Sequence, residues 1–336
     1  MPEDGPAIVA LMRQAGLQPH TELEQLHWKY WQERPDWPGP RSFVFTDGRD
    51  ILAHGAVVPG KLSCGATRAR IIHMIDWAAR RDAVGAGAVL MKQIGMMADF
   101  LLGIGGSAHT LKIMPLMGYR SCGTVTGYVR TLSPAGILRW PRGPRWKRAL
   151  RVVRSLVWTL SAPRADMAGW QVQRIGADEV EMIAGTLPDS RPNMALLARS
   201  PELFRHVLAC PIVPVELYAL KKAGRVGGYF VLSYAPGQAR LADLWVDSQD
   251  PADWRALVQS AVRQAKFKRE LAELVAWSSE PRLSQIFDSC GFHARLALPI
   301  YLRSSGHVPV PQQIPRVQMI DNDAFYLDFG RNELWA

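Results

Sequence analysis

The chain has 336 residues, of which 48% are apolar and 21% charged. This is a globular composition long enough for two ordinary domains, and it excludes a disordered or fibrous chain. Lys and Arg number 40 against 30 Asp and Glu, a net charge of +10, and such an excess points to an acidic partner: nucleic acid, an anionic membrane surface or a phosphorylated cosubstrate. The excess is concentrated. Residues 1–133 carry 14 basic and 11 acidic side chains and residues 166–336 carry 18 and 19, whereas residues 134–165 carry 8 basic and no acidic ones. The chain therefore divides into two near-neutral halves, 1–133 and 166–336, around a basic connector.

The acidic start at Glu3 and Asp4 argues against a secretory signal, and no run approaches the roughly 18 apolar residues of a membrane span. Cys64, Cys122, Cys210 and Cys290 are scattered, form no C-x-x-C pair and suit buried small hydrophobes in a reducing cytoplasm. No metal-ligand spacing is present.

In chain order, Asp4 opens a helix through Ile8, Leu11 and Met12, with a stop at Gly16. A second helix covers Glu22 to Glu33. Alternating segments predict strands at Ser42–Thr46, Ile51–Val58 and Ala69–Trp77. After Asp82-Ala83-Val84-Gly85-Ala86-Gly87 a helix runs from Ala88 to about Asp99, followed by a strand at Phe100–Ile104, a helix at Ser107–Leu116 and strand to Leu132. The second half repeats the order: strand Trp170–Ile175, helix Ala177–Thr186, a meander Val215–Lys221, Val226–Tyr234 and Ala239–Val246, helix Pro251–Lys268, strand Leu271–Trp277, helix Pro281–Ser289 and strand Phe292–Leu302. Pro309–Pro315 reads as loop, and Phe325–Phe329 as a segment that closes or covers the sheet. Met117-Gly118-Tyr119 in the first half parallels Cys290-Gly291-Phe292 in the second. The shared order predicts an internal duplication, with two unrelated α/β domains as the alternative.

This order, the glycine loop after a strand and the closing helix–Gly–aromatic element resemble the GNAT superfamily of acyl-CoA-dependent N-acyltransferases, present twice. Trp28-Lys29-Tyr30 also resembles a segment of some relatives. The resemblance implies an α/β (α+β) fold of two GNAT-like domains, each a mixed, mostly antiparallel sheet flanked by helices. It implies acetyl-CoA or another acyl-CoA as cosubstrate and an amine as acceptor. The family's pyrophosphate loop has the form Q/R-x-x-G-x-G/A; here Gly85 and Gly87 would remove side chains so that backbone N–H groups of Gly85, Ala86, Gly87 and Ala88 approach an anion. Asp82 stands where the family has Gln or Arg, and Arg80 or Arg81 is the candidate to compensate. Ser107 is either a helix cap or a cofactor contact. The corresponding stretch of the second half, Leu244 to Trp254, has no glycine and three acids, so that copy reads as degenerate.

Acyl transfer to an amine needs a base and donors for the oxyanion. Asp76 and His73 compete for the base; three residues apart on a strand, they should face opposite ways unless a bulge intervenes. The alternatives are an ion pair for Asp76 and a core position for His73. Where the family often places a proton-donating tyrosine, Met114 and Phe287 stand, which leaves nearby Tyr119 or a water as the candidate acid, or no catalysis at all. The connector predicts a helix with one apolar stripe, Trp146, Leu150, Val153, Val157 and Leu160, among arginines. It either packs across the two halves or, through residues 139–160, lies on an anionic membrane surface; nucleic-acid motifs are absent. The expected protein is a cytoplasmic N-acyltransferase, peripheral at the inner membrane face in one version, acting on a sugar or cell-envelope precursor. The rivals are a Fem-type aminoacyl-tRNA-dependent transferase and a non-catalytic binding or scaffold protein.

Overall fold

The computed structural model describes residues 2–139, 145–163, 167, 169–188, 190, 191, 194–306, 308, 310–327 and 334. Its centre is one mixed, mostly antiparallel sheet of thirteen strands that runs through both halves without a break. The first half supplies β1 (Ser42–Thr46), β2 (Ile51–Cys64), β3 (Thr67–Ala79), β4 (Phe100–Ile104) and β5 (Arg120–Thr131). The second supplies β6 (Gln171–Ile175), β7 (Ala195–Leu197), β8 (Val215–Lys222), β9 (Arg225–Ala235), β10 (Gln238–Val246), β11 (Glu273–Ser278), β12 (His293–Ser304) and β13 (Pro315–Arg316). The spatial order is β13-β7-β2-β3-β4-β12-β5-β11-β10-β9-β8-β6, with β1 paired to β2.

The closing strands are exchanged. β12, the last long strand of the second half, pairs antiparallel with β4, and β5, the last of the first half, pairs antiparallel with β11. β5 and β12 then pair with each other at the centre. The basic connector is therefore not the only link between the halves: each half takes a strand from the other. The two short helices that feed these strands, α4 (Ala108–Leu116) and α9 (Pro281–Ser289), both end at a glycine in the left-handed region, Gly118 at φ +83° and Gly291 at φ +77°. Glycine is needed there to reverse the chain at a helix end.

Around the sheet lie α1 (Gly5–Gln14), α2 (Leu23–Leu26), α3 (Ala86–Gly95), α5 (Pro134–Arg139), α6 (Arg145–Ser161), α7 (Pro201–Leu208) and α8 (Pro251–Lys266). The helix expected over Glu22–Glu33 is cut short. After α2 the chain forms a wider, π-helical turn, His27–Trp31, in which Trp28, Lys29 and Tyr30 are all buried. Three consecutive buried side chains do not fit the single buried face of an α-helix. The expected helix Ala177–Thr186 is a 3-10 helix. Absent from the expected elements are α7, an amphipathic helix capped by Ser200 with Phe204 and Val207 on its buried face, and β7 and β13, which are too short to show alternation. Cys290 is buried and the other three cysteines are half-buried free thiols; burial raises the pKa of Cys122, Cys210 and Cys290 to about 11, so these stay protonated.

The segment after β12 ties the fold together. Arg199, buried, donates to Asp243 on β10 at 2.8 Å and to Asp321 of the tail at 2.7 Å, and Asp243 also accepts from Tyr229 at 2.9 Å. Replacing Arg199 by alanine leaves two buried carboxylates without their cation. Urea unfolding of Arg199→Ala is expected to show a loss of about 3–5 kcal/mol; a loss within the range of a surface ion pair would refute this account of the tail.

Candidate active site

β3 and β4 run parallel and pair only from Ile71 with Phe100 to His73 with Leu102. Beyond that point they part. β3 stays with β2, and β4 stays with β12 through Ile104. A cavity of about 340 Å³ opens in the gap, lined on one side by His73, Met74, Ile75, Asp76 and Trp77 and on the other by Leu102 to Gly106. Met91 of α3, Thr110 and Met114 of α4, and Tyr119 close its sides. The facing strand edges present backbone N–H and C=O groups without a ladder partner, which suits an extended amide-bearing ligand laid between them. The rest of the lining is mainly apolar, as the body of such a ligand requires.

The sequence placed Asp76 and His73 on opposite faces. The structure brings both to the cavity, and the cause is a bulge. His54 pairs with Ala78 and Ala56 with Ile75, so Gly55 alone stands opposite Asp76 and Trp77. Asp76 takes a φ of +50° there, unusual for a non-glycine residue. His54 fixes the bulge, its Nδ1 lying 3.0 Å from the Asp76 carbonyl oxygen. The Asp76 carboxylate is ion-paired with the buried Lys29 ammonium and accepts a 2.7 Å hydrogen bond from Tyr30 Oη. Trp28-Lys29-Tyr30 thus acquires a purpose, since the wide turn aims Lys29 and Tyr30 together. Burial works to raise the Asp76 pKa, but Lys29 and the Tyr30 hydroxyl outweigh it and hold the carboxyl below its usual range.

His73 Nδ1 lies 2.9 Å from the Leu102 carbonyl oxygen, and burial pushes the ring's pKa down to about 4. The imidazole is neutral at pH 7; Nδ1 donates and Nε2 is left to accept. Tyr119 is buried at the cavity wall, and burial raises its pKa to about 12, so its hydroxyl stays protonated. Sequence reasoning missed Asp323. It belongs to the tail, which crosses from the second half to line the same cavity with Asp323 and Leu327. Burial raises Asp323 to about 6, against the pull of Lys29 and with the push of Asp76. No local motif marks it, because it reaches the cavity only through the tail's path. Residues 328 and 329 of the expected covering segment lie outside the described residues.

The glycine loop sits beside the cavity rather than in its wall. Gly85 caps α3 at φ +88° with open space around it. A side chain at Gly87 would press on Ala79 and the Trp77 indole at 3.1 Å, and Trp77 Nε1 donates to the Gly87 carbonyl oxygen at 3.2 Å. Trp77 therefore joins the helix start to the cavity. Ala86 N–H is taken by the Ala83 carbonyl, while those of Gly87 and Ala88 fall in the first turn, where helix geometry provides no internal acceptor. Arg80 forks Asp82 at 3.0 and 2.5 Å and reaches Asp50 at 2.9 Å. It thereby offsets the anion that replaces the family's Gln or Arg, instead of pointing to the cavity. Arg81 is exposed. Ser107 caps α4, its Oγ accepting from Thr110 N–H at 3.1 Å, and it is Thr110 that lines the cavity.

The second half has a matching gap, because β10 and β11 pair only from Gln238 with Glu273 to Leu241 with Ala276. The tail fills it. Arg316 and Gln318 both donate to the Leu244 carbonyl, Arg316 binds Glu280 at 2.9 Å, and Val317 N–H bonds Ser279 Oγ at 2.8 Å.

No protein-family model and no curated protein sequence matches this chain. Solved structures do. A GCN5-related N-acetyltransferase from Anabaena variabilis aligns with a TM-score of 0.59 at 11% identity, covering 90% of this chain and 70% of that one. Saccharomyces cerevisiae N-myristoyltransferase, solved with myristoyl-CoA and inhibitors, aligns with a TM-score of 0.60 at 12% identity over 90% and 77%. A GCN5-related N-acetyltransferase from Kribbella flavida gives 0.56 at 14% over 90% and 69%. The fold is that of the GNAT-type N-acyltransferases. Within it, the parted parallel strands, the bulge and the start of α3 make up the candidate site.

Asp76→Asn strips the charge from a partner of buried Lys29 and is expected to cost about 3–5 kcal/mol, while adding Lys29→Met to it should recover part of that loss. A double-mutant cycle in urea measures both; simple additivity would deny the coupling.

Proposed function

We propose that the protein transfers an acyl group from acyl-CoA to an amine, and that the gap between β3 and β4 is where it does so. The single observation that carries this reading is that gap, bounded by unpaired strand edges and adjoining a helix start with a left-handed glycine and open space. The pantetheine arm of acyl-CoA fits between strands, and its pyrophosphate suits the N–H groups of Gly87 and Ala88. We take the two halves as copies of one unit, since β3–β4–β12 and β10–β11–β5 repeat one arrangement, with the second gap closed by the tail. The acceptor we favour is an amino group on a sugar or cell-envelope precursor.

Asp323 is the best base on this reading. A base works best with a pKa near the operating pH, and Asp323 lies near 6 where His73 lies near 4. Asp76 is engaged by Lys29 and Tyr30 and serves instead to shape the site. The incoming ammonium gives one proton to Asp323 and on to water. Its nitrogen then forms the C–N bond to the thioester carbon, the C–S bond breaks, and the second nitrogen proton ends on the leaving sulfur. Tyr119, protonated throughout, offers a hydrogen bond to that sulfur in place of the missing family tyrosine.

Titration with acetyl-CoA and longer acyl-CoAs, followed by tryptophan fluorescence, should give saturable binding that Gly85→Glu weakens. Absence of any shift with every acyl-CoA defeats the proposal. Asp323→Asn should lower kcat about 100-fold or more while leaving acyl-CoA binding intact. In the native protein kcat should rise with pH through about 6 as Asp323 ionises. The sign for stability is the reverse. A raised carboxyl favours the fold below its unfolded value, near 4, and that contribution is lost as pH climbs through about 6. A kcat profile flat between pH 5 and about 8 would remove Asp323 as base.

A further inference from the structure

The connector helix α6 packs on β5 of the first half and β12 of the second, but not through its apolar stripe. Its inward side is mixed: Ser155 is fully buried, and Trp158 packs on the main hydrophobic core and stacks on His293 of β12 with ring centres 3.9 Å apart. Arg154 lies over the same indole at 4.9 Å. The apolar stripe points away from the protein. Trp146, Leu150, Val153, Val157 and Leu160 recur at spacings of four and three, and their exposures run from 56% for Val157 to 78% for Leu160. Five large apolar side chains so exposed on one face of a helix about 25 Å long mark a surface meant to be covered.

Charge decides what covers it. The stripe is set in a segment with eight basic residues and no acidic one. Arg151 and Arg295 lie near Arg154 and add to the positive charge around the helix. A second copy of this chain would bring the same positive segment against itself. A nucleic acid would meet a hydrocarbon face. A bilayer with anionic headgroups satisfies both features at once, taking the stripe into its acyl boundary and the arginines at its phosphates. Among the described residues no helix is long and apolar enough to cross a membrane, so this mode is lying on the surface, not spanning.

We infer that α6 is a membrane-docking helix that seats the protein on an anionic lipid surface through Trp146, Leu150, Val153, Val157 and Leu160. The stripe is separate from the β3–β4 cavity, so this inference stands or falls independently of acyl transfer.

Vesicle flotation of the full chain tests it, with phosphatidylcholine alone and with phosphatidylcholine and phosphatidylglycerol at about three to one. The anionic vesicles should bind the native chain, and Leu150→Glu with Val157→Glu should weaken that binding at least about 10-fold. Both positions are exposed, so the melting temperature should not change. Raising the salt should weaken native binding as well. Three results overturn the inference: no flotation with anionic vesicles, equal flotation of the double variant, or a native dimer in sedimentation that the double variant turns into a monomer. The last would assign the stripe to a second copy.

Discussion

At Leu102, β4 loses β3 on one side and keeps β12 on the other. Strand β12 comes from the far end of the chain, so the opening in the first half is held by the second. An isolated first half would leave β4 with an unpaired edge, free to close on β3 or to aggregate. With that edge satisfied by β12, the two parallel strands can part while each keeps one full ladder. The cavity, the approach of α3 and the position of Tyr119 all follow from that division of hydrogen bonds.

The same dependence recurs in the tail. Residues 315–318 occupy the gap between β10 and β11. Arg199 pins Asp321, and two residues later Asp323 enters the first cavity. One segment therefore closes one gap and supplies a carboxylate to the other. Backbone hydrogen bonds and a buried ion-pair network hold it, so the carboxylate arrives in a fixed place. A surface loop would not provide that.

The electrostatics of the site rest on the contrast between two aspartates. Asp76 has its own cation and phenol and stays ionised. Asp323 shares the attraction of Lys29 but also feels Asp76 and burial, and its pKa rises. Two carboxylates near one ammonium separate in this way because one cation cannot fully compensate both. The bulge at Asp76 creates the contrast. A regular strand would turn that carboxylate to the α3 side of the sheet, away from Lys29 and Tyr30.

By itself the sequence determined the local elements. Alternation marked β1 to β3, a short apolar run marked β4, turns at Gly224 and Gly237 marked the meander β8 to β10, and glycine after α4 and α9 marked two left-handed helix ends. The glycine loop before α3 and the resemblance to GNAT acyltransferases were legible, because both depend on neighbours in the chain. So was the concentration of positive charge in residues 134–165. Tertiary structure alone decided the exchange of β5 and β12, since strands of either half could pair equally well with their own edges. It decided that Asp76 joins His73 at the cavity, because one extra residue opposite Gly55 reverses a face and leaves no mark in composition. It brought in Asp323 from 200 and more residues away along the chain, and turned the apolar stripe of α6 outward. Each of these was settled by which surfaces compete for burial and which backbone edges find partners, and that competition exists only once the whole chain has folded.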